Sequence, residues 1–282
     1  MWTQAIERGG LAVITGAAGG IGLAAATRLA EQGMGVVLAD LPGDTLDRAA
    51  HVVTAAARGR APVLAVPTDV TRPDSVAALA EAAFAAGEVA IVMANAGIGR
   101  RSGAWTGLDA WRAILEVNLF GVVHVVHAFV PGLIAAARPA AVVITGSKQG
   151  ITTPPGNPAY NASKAGVKVV AEQLAHELRE QGAPIGVHLF VPGWTFTGMT
   201  GGGGTAEKPA GAWTAAETVD HFMARAAAGD FYILCPDGAV TPAVDRRRVR
   251  WAAEDIILGR PALSRWHPDY RENFAAFERD ET

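Results

Sequence analysis

Between Leu11 and Asp40 the chain passes through a short apolar run (Leu11 to Thr15) and a turn holding Gly16, Gly19, Gly20 and Gly22. A helical pattern follows through Leu23, Ala26, Leu29 and Ala30, and then a second apolar run, Gly35 to Ala39. Strand, glycine-rich turn, helix and strand form the unit that binds a dinucleotide. Glycines let the backbone turn tightly and approach a pyrophosphate, which sits at the positive end of the helix that Gly20, Ile21 and Gly22 open. The spacing is G-x-x-x-G-x-G rather than G-x-G-x-x-G, and a purely structural turn is the plain alternative. Asp40 ends the second strand. A carboxylate there accepts hydrogen bonds from an adenosine ribose and repels a 2′-phosphate. Ala17-Ala18-Gly19 offers such a phosphate no basic side chain, so NAD is favoured over NADP. The alternative for Asp40 is a cap or turn residue.

The alternation continues. Apolar runs at Pro62 to Pro67, Val89 to Ala94, Ala140 to Thr145, Ile185 to Val191 and Phe231 to Leu234 read as strands. Helical patterns at Asp44 to Arg58, Pro73 to Ala86, Leu108 to Ala136 (interrupted by Pro131-Gly132) and Tyr160 to Gln181 separate most of them. Continuous apolar strands between helices predict a parallel sheet covered on both faces. The expected fold is α/β, a single-domain Rossmann-type doubly wound parallel sheet of about seven strands with a C-terminal extension. The catalytic domain is placed at 1–244 and the extension at 245–282. In such a sheet the ligand lies beyond the carboxyl ends of the strands. Asp40, Asp69-Val70, Asn95-Ala96-Gly97, Ser147 and Pro192-Gly193 fall at those ends, so one pocket collects them.

The stretch Ser147 to Lys164 carries the chemistry. Tyr160 and Lys164 are four apart, so on a helix they share a face. A phenol with a pKa of ~10 is a poor base at neutral pH, and a nearby ammonium favours its ionised form. Tyr160 can then exchange a proton with a substrate hydroxyl or carbonyl that Ser147 holds. An exposed helical pair is the bland alternative.

Composition excludes other classes. A formal charge of −3 gives no reason to expect nucleic acid, and one cysteine, Cys235, leaves no internal disulfide framework. Met1 to Gly10 reads as too short and polar for a signal peptide. No apolar run approaches the ~18 residues of a membrane span. The expectation is a soluble, cytoplasmic protein without nucleic-acid or membrane partners. His124 and His127 share a helix face, but no Cys or carboxylate cluster completes a metal site.

These motifs together resemble the short-chain dehydrogenase/reductases over roughly Gly10 to Thr197 and the last strand. Thr15 to Gly22 is similar to the family's T-G-x-x-x-G-x-G turn, Asn95-Ala96-Gly97 to its N-A-G, and Tyr160 with Lys164 to its Y-x-x-x-K. Ser147 lies thirteen residues before the tyrosine, as the family's serine does. Asn118 looks like the asparagine that completes a catalytic tetrad. The resemblance implies that Tyr160 is the general acid/base, that Lys164 lowers its pKa and binds the nicotinamide ribose, and that Asn118 holds a water leading from Lys164 to solvent. It implies Asp69 at the adenine, and Pro192, Gly193, Thr195 and Thr197 at the nicotinamide carboxamide. The implied activity interconverts a secondary alcohol and a ketone with NAD(H). A catalytically silent NAD-binding protein, or enoyl reduction or epimerisation on the same scaffold, are the alternatives. A homodimer or homotetramer is implied through the long helices, where Val122 to Val130 is apolar.

Departures from the family pattern add expectations. Lys148 after the serine is expected to point into solvent. Gln149, Trp194, Phe196 and Met199, with Trp105 and Trp213, suggest an apolar or aromatic substrate pocket, packing being the alternative for the last two. Thr200 to Thr205, with four glycines, reads as a lid within a covering segment of about 194–228. In the tail, Val249 to Leu258 reads as a helix and Leu263 to Tyr270 as an aromatic-rich turn. Trp266 or His267 reaches a substrate pocket, or the tail simply packs on its own domain or a neighbour.

Overall fold

Seven apolar runs join one parallel sheet: β1 (Leu11–Thr15), β2 (Gly35–Asp40), β3 (Val63–Pro67), β4 (Val89–Ala94), β5 (Ala140–Thr145), β6 (Ile185–Val191) and β9 (Tyr232–Leu234). Two short strands, β7 (Thr195–Phe196) and β8 (Trp213–Thr214), pair beside it. The order is β3-β2-β1-β4-β5-β6-β9, so the chain reverses its direction of growth between β1 and β4. That switch point opens a crevice at the strand carboxyl ends. The computed structural model describes residues 1–58, 61–200, 207–238 and 240–279.

Side chains alternate across each strand, which splits the core in two. Val13, Val37, Val92 and Val142 face one cluster, and Ile14, Leu38, Met93 and Val143 face the other. The first cluster is covered by α4 (Pro73–Ala86), α6 (Gly121–Ala136) and α8 (Pro158–Glu180), which contribute Leu79, Phe129 and Val167. The second is covered by α1 (Trp2–Glu7), α2 (Gly20–Glu31), α3 (Asp44–Ala56) and α9 (Ala215–Ala227) through Trp2, Leu29, Leu46 and Phe222. Both faces of the sheet are dry, which is why its strands read as unbroken apolar runs.

Three expectations change. Pro131 does not interrupt its helix: α6 runs through it. Pro131 and His127 are both exposed, so the carbonyl that loses its amide partner faces water. The helical path from α5 (Leu108–Leu115) through a π turn (Glu116–Phe120) to α6 is also long and apolar enough to cross a membrane, contrary to the earlier reading. It lies against the sheet, with Ile114, Val122, Val125 and Phe129 buried. Lastly, α9 falls inside the segment read as a lid, yet its Val219 and Phe222 belong to the core. A capping box between Thr214 and Glu217 starts that helix. The glycines of the expected lid, from 201 onward, lie outside the described residues.

The tail begins as α10 (Pro242–Ile257), passes through two 3₁₀ turns (Ser264–Trp266 and Pro268–Tyr270), and ends in α11 (Arg271–Arg279). Trp251 of α10 is buried, edge-on to Phe274 of α11. A short helix, α7 (Gln149–Thr152), sits between α10 and α8. Its Gly150 packs backbone to backbone on α8: a Cβ there would lie 2.4 Å from the Lys164 carbonyl carbon and oxygen. Overpacking of this kind costs about 1–3 kcal/mol. Gly150→Ala is therefore expected to lower the melting temperature measurably in thermal denaturation. An unchanged transition would mean that α7 and α8 separate freely.

Candidate active site

The glycine-rich turn is built for close approach. Gly16 has φ +68°, a region that favours glycine, and a Cβ on Gly22 would lie 2.1 Å from the Gly16 carbonyl oxygen. Asn95 fastens this turn to the sheet. Its Nδ2 donates to the Thr15 and Gly16 carbonyls at 3.0 and 3.3 Å, and its Oδ1 accepts from Thr145 Oγ1 at 3.2 Å. Three strand ends, β1, β4 and β5, are thereby held in register. No side chain caps α2, so the amides of its first turn point outward as an anion cradle.

The crevice holds a cavity of about 710 Å³. Gly16, Gly19, Gly20, Ile21 and Asp40 line one end of it, and Asp69, Val70, Asn95, Ala96 and Gly97 line its floor. Ser147, Gln149, Tyr160 and Lys164, then Pro192 to Thr195, Thr197 and Met199, close the other end. Asp40 also braces its surroundings, accepting from the Ala18 and Leu41 amides at 2.8 Å each. Asp69 Oδ1 accepts from the Thr71 amide and hydroxyl at 3.0 and 2.7 Å. The segment after β6 crosses to the turn: a Cβ on Gly20 would meet Thr197 Cγ2 at 3.2 Å.

Five residues singled out from the sequence are not in the cavity wall. Gly22 is packed behind the turn, and Phe196 is tied into the β7–β8 pair. Asn118 is fully buried inside the π turn, a distortion that often marks functional sites. Its amide exchanges hydrogen bonds with the Ile98 backbone at 2.8 and 3.0 Å and donates to Ser163 Oγ at 3.3 Å. Its side chain thus braces the segment that follows β4. Trp105 stands 91 % exposed, away from the cavity. Trp213 packs on the core and on His221.

At the chemical end, Tyr160 and Ser147 line the cavity together, and the Gln149 amide donates to Ser147 Oγ at 3.2 Å. Lys164 is only 4 % exposed, and its Nζ donates to the Thr145 carbonyl at 2.9 Å. The same Nζ lies 5.8 Å from the centre of the Tyr160 ring. Burial pulls the Lys164 amine down to about 8. It also pushes the Tyr160 phenol above its usual value, against the pull of the Ser147 hydrogen bond. An acidified phenol is therefore not a property of this pair in the protein alone. Low-dielectric surroundings favour the neutral form of each group, and the amine's hydrogen bond goes to a carbonyl.

Lys148 departs most from expectation. Its side chain is 19 % exposed and turns inward to Asp245 at 2.6 Å and Asp237 at 3.5 Å. Asp237 Oδ2 also accepts from the Trp194 amide at 3.2 Å. Sequence reasoning passed over both aspartates; only the Cys235-Pro236-Asp237-Gly238 turn at the end of β9 hinted at one of them. Among the described residues no cluster of three or more His, Cys, Asp or Glu side chains could hold a metal ion.

The family profile described as short chain dehydrogenase matches residues 10–208. Among similar curated proteins, 1-deoxy-11-beta-hydroxypentalenate dehydrogenase of Streptomyces exfoliatus is 41 % identical over 213 residues, 74 % of this chain and 75 % of that one. Cis-4-hydroxycyclohexanecarboxylate dehydrogenase of Sinomonas cyclohexanicum is 36 % identical over 199 residues, 68 % of this chain and 76 % of its own. Among solved structures, a short chain dehydrogenase/reductase from Burkholderia phymatum in complex with NAD superposes with a TM-score of 0.80 at 33 % identity, covering 90 % of this chain and 96 % of that one. With the profile spanning more than half of the sequence, and the sheet order and glycine turn in agreement, this chain belongs to the short-chain dehydrogenase/reductase family.

Proposed function

We propose that the protein is an NAD-dependent dehydrogenase that interconverts a secondary alcohol and a ketone, with Tyr160 as general acid/base. The observation that carries this is that Ser147, Tyr160 and Lys164 line one end of a cavity whose other end is the glycine turn and Asp40. The open α2 terminus suits a pyrophosphate, and a Cβ at Gly16 would strike the Ala96 backbone at 2.8 Å, so the turn closes only with glycine. Asp40 would take the adenosine ribose, Asp69 and Val70 would border the adenine, and Gly193 to Thr197 the carboxamide. NAD, when bound, supplies a hydride acceptor and a cationic ring.

The chain's own residues do the rest. Ser147 Oγ orients the substrate oxygen. Tyr160 takes its proton in oxidation and returns it in reduction. Lys164 sits one turn away, where its charge stabilises the phenolate once a second positive charge offsets burial. Trp194 and Met199, exposed at the cavity mouth, give the substrate an apolar border. The relatives named above are dehydrogenases of alicyclic hydroxy acids, which supports a small-molecule alcohol as substrate. The meeting of Ser147, Tyr160 and Lys164 in one cavity favours catalysis over silent binding. Subunit pairing as a homodimer or homotetramer belongs to the same proposal, carried by exposed Phe120 and Val169 on neighbouring helices.

Removal of a general acid/base costs about 10²–10⁴-fold. Tyr160→Phe should lose at least the lower of these factors in kcat while a fluorescence titration shows NADH binding retained; full turnover would refute the assignment. Asp40→Ser should raise kcat/KM with NADP relative to NAD, and an unchanged ratio would remove Asp40 from cofactor choice. The pH dependence has a definite sign. Oxidation needs an unprotonated Tyr160 and should speed up as pH rises, whereas ketone reduction needs the protonated form and should slow. Parallel profiles in the two directions would exclude Tyr160 as the proton carrier.

A further inference from the structure

A second cavity of about 310 Å³ lies on the far side of the catalytic loop, between α7 and the tail. Lys148 and Gln149 border it and also border the main cavity. Its outer wall comes from the tail: Asp245, Arg248, Arg265 and Trp266. The lining holds three cations, Lys148, Arg248 and Arg265, against one carboxylate, Asp245. Lys148 is paired with Asp245 at 2.6 Å, and Arg248 Nε donates to Glu278 at 2.7 Å. Arg265 is different. Among the described residues no carboxylate stands within ion-pairing distance of it, and its guanidinium rests over the Trp266 and Phe274 rings at 4.7 and 4.9 Å. Burial first, and then the neighbouring Arg248 charge, hold Arg265 below its ordinary pKa, while the more distant Glu278 and Asp245 carboxylates pull the other way. Two guanidinium groups side by side repel each other, and an anion between them relieves that cost.

We propose that this second cavity receives the carboxylate of a hydroxy-acid substrate whose carbinol lies at Tyr160, with Arg265 as its main partner and Arg248 beside it. The proposal rests on the dehydrogenase reading above. Lys148 is matched by Asp245 and Asp237, and Arg248 by Glu278, which leaves Arg265 as the cation of this lining with no carboxylate at ion-pairing distance among the described residues. A guanidinium fork grips a planar carboxylate through two parallel hydrogen bonds. Stacking on two rings keeps the fork oriented before the anion arrives. Gln149 flanks both cavities, so the carbon skeleton between the two ends of the substrate would run along it. The Lys148–Asp245 pair fixes α10, and with it the arginine wall, one residue from Ser147.

The test is a series of (ω−1)-hydroxy carboxylates from short to long chains, each set beside its methyl ester, with the full-length enzyme and NAD. The wild type should prefer acid over ester at one chain length by about tenfold or more in kcat/KM. Arg265→Gln should erase that preference through KM and leave turnover of the esters in place, and Arg265→Lys should keep part of it. Equal treatment of acid and ester at every length overturns the subsite, as does a preference that survives in Arg265→Gln. If Arg265→Gln also loses ester turnover, the wild-type ratio together with Arg265→Lys decides. If neither series is oxidised, the dehydrogenase reading fails, and calorimetric titration with alkanoates that lack the hydroxyl judges the subsite separately. Length-dependent binding that Arg265→Gln abolishes supports it, and alkanoates that bind no better than alkanols of the same length overturn it.

Discussion

An amine sealed inside the protein constrains everything around it. Lys164 Nζ is buried, with the Thr145 carbonyl at 2.9 Å as its acceptor. Burying an ammonium is costly, and its pKa near 8 records that cost. The arrangement holds only if β5 ends at Thr145 and α8 lies at a fixed height above it. Gly150 sets that height by letting α7 press on the Lys164 backbone. The tetrad is thus positioned by backbone packing. Its side chains then occupy places that the strand ends and α7 have already determined.

Much of this was legible before any coordinates. A parallel sheet buried on both faces must be written as uninterrupted apolar runs, so β4, β5 and β6 begin and end where Val89, Ala94, Ala140, Thr145, Ile185 and Val191 predict. Tyr160 and Lys164 declare themselves by spacing along one helix face. Elements held only by distant partners were hidden. α1 has little pattern of its own, and its Trp2 is buried by packing edge-on to Phe222. α11 is mostly polar and is anchored through Phe274.

Three expectations fail, each for its own physical reason. Lys148 follows a catalytic serine, and lysines in loops usually face water. What turns it inward is Asp245, far along the chain, and no local pattern signals a partner at that distance. Phe196 was read as a pocket residue because it lies near Trp194, but a strand alternates its side chains, and β7 keeps Phe196 out of the wall. For Tyr160 the error was energetic: attraction to a neighbouring charge was counted and desolvation was not. Burial is the leading cause on both groups, and it acts on each against its charged form.

The Lys148 cluster shows how one scaffold can accept different substrates. Asp237 accepts from the amide of Trp194, which borders the cofactor cavity, while Lys148 reaches it from the catalytic loop and reaches Asp245 on the tail. Three segments far apart in sequence meet at one set of charges. Breaking one partner of such a set leaves an uncompensated buried charge, which is strongly destabilising, so the three segments stay in register while the surfaces they present can change. The tail can therefore reshape the space beyond Gln149 without moving Ser147 or Tyr160. β5, α7 and α8 frame Ser147, Tyr160 and Lys164, and α10 reaches the same loop through Lys148.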